Sequence, residues 1–341
     1  MRERMKSADA RFRGNDETRQ ARARDADSPS SIYFPGSRMF FRNLTFFRFP
    51  TTHDLAELDK GLEECRLKPV GPLELSSRGF ISPFGRADEE AAISNRIGSA
   101  IWLTVGGEDR LLPGAVINDM LAKKLAEIEQ KEGRKPGGRT RKRLKDELIT
   151  DLMPRAFIKP SRTDAIIDLE HGLVIVDSSS RKTAENVISE IRRAVGSFPA
   201  LPLNAEVAPR SILTGWVAGE PLPDGIMLGD ECELRDPVDQ GAVVKCQRQE
   251  LESDEIAKHL ETGKQVTRLA LSLDDHVSFV IGEDLIVRKF KLLDGAVDQL
   301  EHSDGDGLRA ELDARFALMS AEVKRLFVVM EKALKLSKVE A

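Results

Sequence analysis

Apolar positions along the chain change period several times, and each change marks an element. From Met39 the run Met-Phe-Phe-Arg-Asn-Leu-Thr-Phe-Phe-Arg-Phe is aromatic and β-rich, so folded chain is expected to start there. Residues 54–65 alternate apolar and charged positions at helical spacing, with Thr51 or Thr52 as a cap. Residues 69–85 are turn-rich and predict a long loop or hairpin. Residues 100–105 read as a buried strand ended by Gly106-Gly107, with a second short strand before Pro113 closing a hairpin. From Val116 the period becomes helical, with Met120, Leu121, Leu125 and Ile128 on one face. Gly133, Pro136, Gly137 and Gly138 break that helix. Leu144, Leu148 and Leu152 then form the stripe of a second helix over about residues 139–152, stopped by Pro154. A helical hairpin with a charged tip is predicted.

Residues 165–168 and 173–177 are apolar, β-branched runs joined by the turn Glu170-His171-Gly172, and read as paired strands. Ser178 to Ser180 cap a helix that runs to Val195. Pro199, Pro202 and Pro209 mark irregular chain, after which 214–218 reads as strand. A strand at 242–247 and a helix at 254–260 ended by Gly263 follow. Residues 266–273, 277–281 and 285–292 alternate as an antiparallel meander, and 308–336 form a long amphipathic helix. Strands and helices in mixed order, without a regular βα repeat, predict an α+β fold. The expected organisation is an extension or misassigned start at 1–38, an α+β part at 39–112, the helical hairpin at 113–160, an α/β segment at 161–215 and a C-terminal α+β region at 216–341.

Residues 1–38 follow no period and hold Ile32 as their one branched aliphatic side chain, so they are not expected to build a core. They read either as an extension, or as a basic arm gripping a polyanion. Charge complicates the second idea. The chain has 52 Lys and Arg against 57 Asp and Glu, a net charge of -5; the first 38 residues carry nine basic and six acidic side chains, so the remainder stands at -8. An anion-binding surface therefore requires segregated charge. Such segregation is visible locally. Lys131, Arg134, Lys135, Arg139, Arg141, Lys142, Arg143 and Lys145 are opposed only by Glu132 between residues 131 and 145. This tip makes phosphate contacts without base readout, or is a solvated helix end. Smaller groups occur at Lys245 with Arg248, at Lys264 with Arg268, and at Arg288, Lys289 and Lys291. If Lys264, Arg268 and Arg248 align, a sheet carries a positive stripe.

Catalytic signatures are scarce: there is no Walker loop, dinucleotide glycine fingerprint, nucleophile elbow or His pair at metal spacing. His53, His171, His259, His276 and His302 read as surface or turn residues. Asp230, Glu231, Glu233 and Asp236, with Lys245, are the one set suited to a magnesium-dependent nuclease, but read more simply as a solvated acidic loop. No enzyme and no cofactor is expected. Cys65, Cys232 and Cys246 are odd in number and lack zinc or redox spacing, consistent with a reducing compartment. No apolar run approaches a membrane span, and a soluble, cytoplasmic protein is expected. With aromatics at 5% and Tyr33, Trp102 and Trp216 the only Tyr and Trp, a stacking platform for single strands is poorly supported.

Several segments together resemble one bacterial family. They include Met39-Phe40-Phe41-Arg42-Asn43-Leu44, Leu111-Leu112-Pro113, Leu152-Met153-Pro154-Arg155-Ala156-Phe157, Ser161-Arg162-Thr163, Val176-Asp177-Ser178-Ser179-Ser180, Gly196-Ser197-Phe198-Pro199 and Leu228-Gly229-Asp230-Glu231-Cys232-Glu233-Leu234. Gln249-Glu250-Leu251 and the run Gly263-Lys264-Gln265-Val266-Thr267-Arg268-Leu269 continue the pattern. In this order, from Met39 to the C-terminus, they resemble the recombination-associated RdgC family, whose sequences start at the position of Met39. The resemblance implies a nucleoid-associated homodimeric ring that binds double- and single-stranded DNA without sequence preference and restrains recombinase filaments by occupying DNA. It implies Arg248, Gln249 and Lys264 as lining of a positive hole, and Phe157 as a subunit contact; a core aromatic after a helix is the other reading of Phe157. The alternative function is a protein-interaction module acting directly on a recombinase.

Overall fold

The computed structural model describes residues 41–85, 91–238, 242–297 and 308–338. The 1–38 extension, Met39 and His302 lie outside them.

Two antiparallel sheets organise the chain. The first contains β1 (Thr45–Arg48), β2 (Ser76–Ile81), β3 (Ser94–Ile97), β4 (Ala100–Leu111), β5 (Phe157–Asp168), β6 (Leu173–Val176) and β7 (Leu201–Pro202), in the order β2-β4-β5-β6-β1-β7 with β3 also on β4. Successive residues point to opposite faces of a strand, and here both faces are covered. Phe47, Ile101, Leu103, Ile167, Val174 and Val176 pack beneath α1 (Leu58–Glu64) and α4 (Arg181–Val195). Their neighbours Phe46, Trp102, Ile166 and Ile175 face the long α8 (Leu308–Ala333), where Trp102 stacks on Phe316 at 5.5 Å and Phe46 meets Phe327 at 5.8 Å. Two-sided burial, at roughly 1.5–3 kcal/mol per large side chain, explains why these strands read as unbroken apolar runs.

The second sheet holds β8 (Ile226–Arg235), β9 (Val243–Gln247), β10 (Gln265–Leu273), β11 (Val277–Gly282) and β12 (Val287–Leu292) in the order β12-β11-β10-β8-β9. Its inner face, including Cys232, Leu234, Leu269 and Phe279, joins the same core as α8. Around it lie α5 (Pro209–Val217), α6 (Asp254–Glu261) and the short α7 (Asp294–Val297).

Between β4 and β5 the chain leaves the sheet to form α2 (Gly114–Glu132) and α3 (Gly138–Leu152), the expected hairpin. Gly133 closes α2 at φ +68°, a left-handed cap that glycine adopts without strain. Leu121, Leu144 and Leu148 make a small core of its own, flanked by Met120, Leu125 and Ile128. β4 and β5 pair over twelve residues each, from Ala100 opposite Asp168 to Leu111 opposite Phe157, so the hairpin rides on the end of a two-stranded ribbon.

Several expectations are corrected. Gly106-Gly107 do not end a strand, and no separate short strand precedes Pro113: β4 runs through to Leu111. A Cβ on Gly106 would lie 2.8 Å from Ile81 Cγ2, and one on Gly107 would lie 2.6 Å from the side chains of Arg78 and Ser161. These glycines serve close approach, not a turn. Residues 214–217 belong to α5 instead of a strand and Ala218 caps it, because Pro209 starts a helix whose Leu213, Trp216 and Val217 are buried at helical spacing. The helix expected from residue 54 starts at Leu58, with no side-chain cap. The acidic segment 230–235 is not a loop but part of the interior strand β8. His171 and His276 are more than surface histidines, since each bonds a buried carboxylate: Asp168 at 2.7 Å and Glu322 at 2.8 Å.

Candidate nucleic-acid interface

The outer face of β8 is where charge converges. Cys232 and Leu234 point into the core, so Glu231, Glu233 and Arg235 share the opposite face. Register places Lys245 of β9 and Arg268 of β10 on either side of Glu233. The Glu233 carboxylate lies 3.6 Å from Lys245 Nζ, 3.6 Å from Arg268 Nη1 and 3.3 Å from Arg235 Nη2. A carboxylate buried without such partners would cost several kcal/mol. The cations themselves are partly solvated, so each pair contributes on the order of 1 kcal/mol or less to stability.

Two irregularities aim these side chains. The β8–β10 register shifts between Val266 and Arg268, leaving Thr267 as an extra residue. Without that bulge Arg268 would have the inward parity of Val266; with it Arg268 faces outward and Leu269 returns to the core. The Thr267 hydroxyl donates to the Glu233 carbonyl oxygen at 3.2 Å. A second shift opposite Phe279 puts Lys289 of β12 at φ +53°, and its ammonium reaches both Glu231 oxygens at 2.7 and 2.6 Å.

Expected site residues lie just beyond the strand ends of this cluster. Arg248, exposed and at φ +58°, and Gln249, whose N–H donates to the Asp230 carbonyl oxygen, follow β9 just beyond the Glu231–Gln247 rung. Lys264, with its ammonium 3.1 Å from Thr262 Oγ1, precedes β10 just beyond the Arg235–Gln265 rung. The two groups therefore flank the Glu233 cluster at opposite ends of roughly 13 Å of strand. Lys245, Arg268 and Arg235 share one face with Glu231 and Glu233, whereas Arg248 and Lys264 lie one residue beyond the strand ends, so the expected stripe of Lys264, Arg268 and Arg248 is not a continuous row. Arg235 was missed in the sequence, and Glu233 and Lys289 were named there in separate acidic and basic groups without being joined to this site; the charged-apolar alternation Glu231-Cys232-Glu233-Leu234-Arg235 was the available signal for a strand.

Arg139, Arg141, Lys142 and Arg143 occupy the first turns of α3 and are exposed, with Arg143 3.4 Å from Glu147. They belong to the hairpin, not to the β8 row. Phe157 opens β5 at the ribbon end and is 83% exposed, which removes the core reading for this side chain. Opposite it, Leu111 is also exposed, and Val116 lies nearby in sequence at the start of α2 with half its surface free.

Among the described residues, Asp230, Glu231, Glu233 and Asp236 do not gather as a metal-ligand group; the set that does is Asp168, Glu170 and His171. A cation already sits there: Lys324 Nζ lies 3.2 Å from Asp168, 3.3 Å from Glu170 and 2.6 Å from Ser99 Oγ. This network anchors α8 to the β5–β6 turn. Under the β8 face, Cys232 and Cys246 lie opposite each other as free thiols. Burial, reinforced by Cys246, pushes the Cys232 thiol up to about 12. It is inert at neutral pH.

A family model described as "Putative exonuclease, RdgC" matches residues 39–337. The chain is 71% identical over 303 residues to the recombination-associated protein RdgC of Xanthomonas campestris pv. campestris (strain B100), covering 89% of this chain and 100% of the relative. It is 70% identical over 302 residues to the protein of that name from Xanthomonas axonopodis pv. citri, again with 89% and 100% coverage. The Stenotrophomonas maltophilia (strain R551-3) protein of the same name is 68% identical over 302 residues, with the same coverage.

Proposed function

Since the chain belongs to the RdgC family, we propose that it is a non-enzymatic protein that binds double- and single-stranded DNA through phosphates, without regard to sequence. The observation that carries this reading is Lys245, Arg268 and Arg235 gathered on one face of the sheet, with Arg248 and Lys264 just beyond its strand ends, within a chain of net charge -5. Charge gathered on one face against an acidic background is the footprint of a polyanion. Long, flexible cations on a flat strand surface reach phosphates but present no helix or loop to read base edges.

Two copies are expected to associate as a ring that encloses DNA, nucleoid-associated in the cell, and to modulate recombination by occupying the recombinase's substrate. The exposed Phe157 and Leu111 at the ribbon end support a contact between copies there. In support of the non-enzymatic reading, Glu231 and Glu233 are engaged by Lys289, Lys245, Arg268 and Arg235, and Lys324 occupies the Asp168 group. A hard cation would have to displace these ammonium and guanidinium groups first.

Titration of a random-sequence duplex at several salt concentrations tests the proposal. Affinity is expected to fall steeply with salt and to be equal for unrelated sequences. Salt-insensitive binding, or none, would reject it and favour direct contact with a recombinase; magnesium-dependent loss of the duplex would restore a nuclease. Sedimentation of the wild type and Phe157→Ser tests the assembly, with a weaker dimer expected for the variant.

A further inference from the structure

We infer that Glu233 is a positioning residue, whose buried carboxylate sets Arg268, Lys245 and Arg235 as one clamp for a phosphodiester group. This rests on the DNA-binding reading above and adds a negatively charged residue as part of the binding apparatus.

Burial is the first observation. The Glu233 side chain is 10% exposed, while those of Arg268, Lys245 and Arg235 are 47%, 64% and 43% exposed. The anion lies underneath and the cationic heads lie above it. Separation is the second. At 3.3 to 3.6 Å the three heads stand farther from the carboxylate than the roughly 2.7–2.9 Å of a committed charge-assisted hydrogen bond. Arg235 donates one hydrogen bond to Glu233, from Nη2 to Oε1 at 3.3 Å, and most donors of the three heads are therefore not used up on it. A guanidinium has five N–H groups and an ammonium three, and a tetrahedral phosphate accepts from several at once. One negative charge among three positive ones also leaves the group with a surplus that a passing phosphate relieves.

The third observation is the bulge at Thr267, which turns Arg268 outward to meet this carboxylate and is tied to it through the Glu233 carbonyl. A bulge that re-aims one side chain is a placed feature. Three like charges converging on one spot would repel and scatter if nothing lay between them. Glu233 holds them together before the ligand arrives, which lowers the ordering cost at binding.

The sign of one substitution separates this from simple electrostatics. If Glu233 only dilutes the positive stripe, Glu233→Gln removes a repulsive charge and tightens DNA binding. If it positions the clamp, the same change weakens binding although the face becomes more positive. The full chain is titrated with a random-sequence duplex at several salt concentrations, as wild type, Glu233→Gln, Lys245→Gln, Arg268→Gln, the Lys245→Gln/Arg268→Gln pair, and that pair with Glu233→Gln added. Expected for Glu233→Gln is a loss of about threefold or more. Lys245→Gln and Arg268→Gln should each lose about fivefold near physiological salt, with the salt slope reduced by about 0.9 per charge removed. Adding Glu233→Gln to the pair should cost less than it does in the wild type, because only Arg235 is then left for it to position.

Tighter or unchanged binding by Glu233→Gln overturns the positioning role, as does an undiminished loss in the paired background. Should Glu233→Gln fail to fold, unchanged affinity in Lys245→Gln and Arg268→Gln overturns the clamp, since their heads are exposed. A wild type that does not bind the duplex rejects the DNA reading and the clamp with it. A wild type that binds normally, with Glu233→Gln unaffected, rejects the clamp alone.

Discussion

At the hairpin tip Arg139, Arg141 and Lys142 extend into solvent from α3 and, among the described residues, carry no ion pair; Arg143 meets only Glu147, four residues along the same helix. On the β8 face, Arg268, Lys245, Arg235 and Lys289 lean on carboxylates placed by strand register and by two bulges. Both regions concentrate positive charge, yet they differ in how much freedom that charge retains. Solvated arginines on a helix act at a distance and are screened beyond about 8 Å at physiological salt, and each must be ordered when it docks. Anchored cations act at contact and are ordered already. Counting charges along the chain favours the hairpin; counting charges whose position is fixed favours the sheet.

The supports of the two regions differ as well, and this gives the largest expected effect. Leu148 is buried in a hairpin core of three leucines, whereas the sheet shares the main core with α8. Leu148→Ala is expected to cost about 3 kcal/mol. The loss should be local: hydrogen exchange should accelerate in α2 and α3 while β8 to β11 stay protected. Uniform acceleration would merge the two regions into one cooperative unit.

A smaller effect separates the charges. Replacing Arg139, Arg141, Lys142 and Arg143 together by Gln is expected to weaken duplex binding by less than Lys245→Gln with Arg268→Gln, although four charges are removed instead of two. Two fixed phosphate contacts correspond to about 25-fold near physiological salt. A larger loss from the hairpin set would reverse the ranking. Both sets should act alike on unrelated sequences.

The smallest expected effect is a silence. Burial holds the Cys232 thiol near 12, so at pH 8 its reactive thiolate is scarce; a thiol reagent should label half-buried Cys65 and spare Cys232 until the chain unfolds. In Leu148→Ala the same protection should persist. Labelling of Cys232 in that variant would mean that damage to the hairpin reaches the sheet.

The hairpin was legible because its apolar period, its Gly and Pro breakers and its basic tip all sit in consecutive sequence. The meander of β10 to β12 was legible for the same reason. β4 was read too short because Gly106 and Gly107 signal a turn by composition, while their actual role is to let Ile81, Arg78 and Ser161 approach. The core of the candidate site was not legible. Val266 and Leu269 both point inward although three residues apart, so strict alternation misassigns Arg268, and only register brings Glu233 beneath it. The acidic letters at 230–236 suggested solvent because the cationic partners of Glu231 and Glu233 lie mostly on three other strands, β9, β10 and β12. Phe157 could be read as core or surface until its place at the ribbon end settled its exposure.

That ribbon has a further consequence. Leu111 and Phe157 are directly paired, so the chain departs for the hairpin and returns from it at neighbouring points about 5 Å apart. Everything between them is a cassette. It can be shortened, exchanged or replaced by a tight turn while the ends that remain still close onto each other, with little entropy lost in joining them. A lineage can therefore rework this protrusion, and whatever it touches, at a pace independent of the sheet that carries the anchored cations.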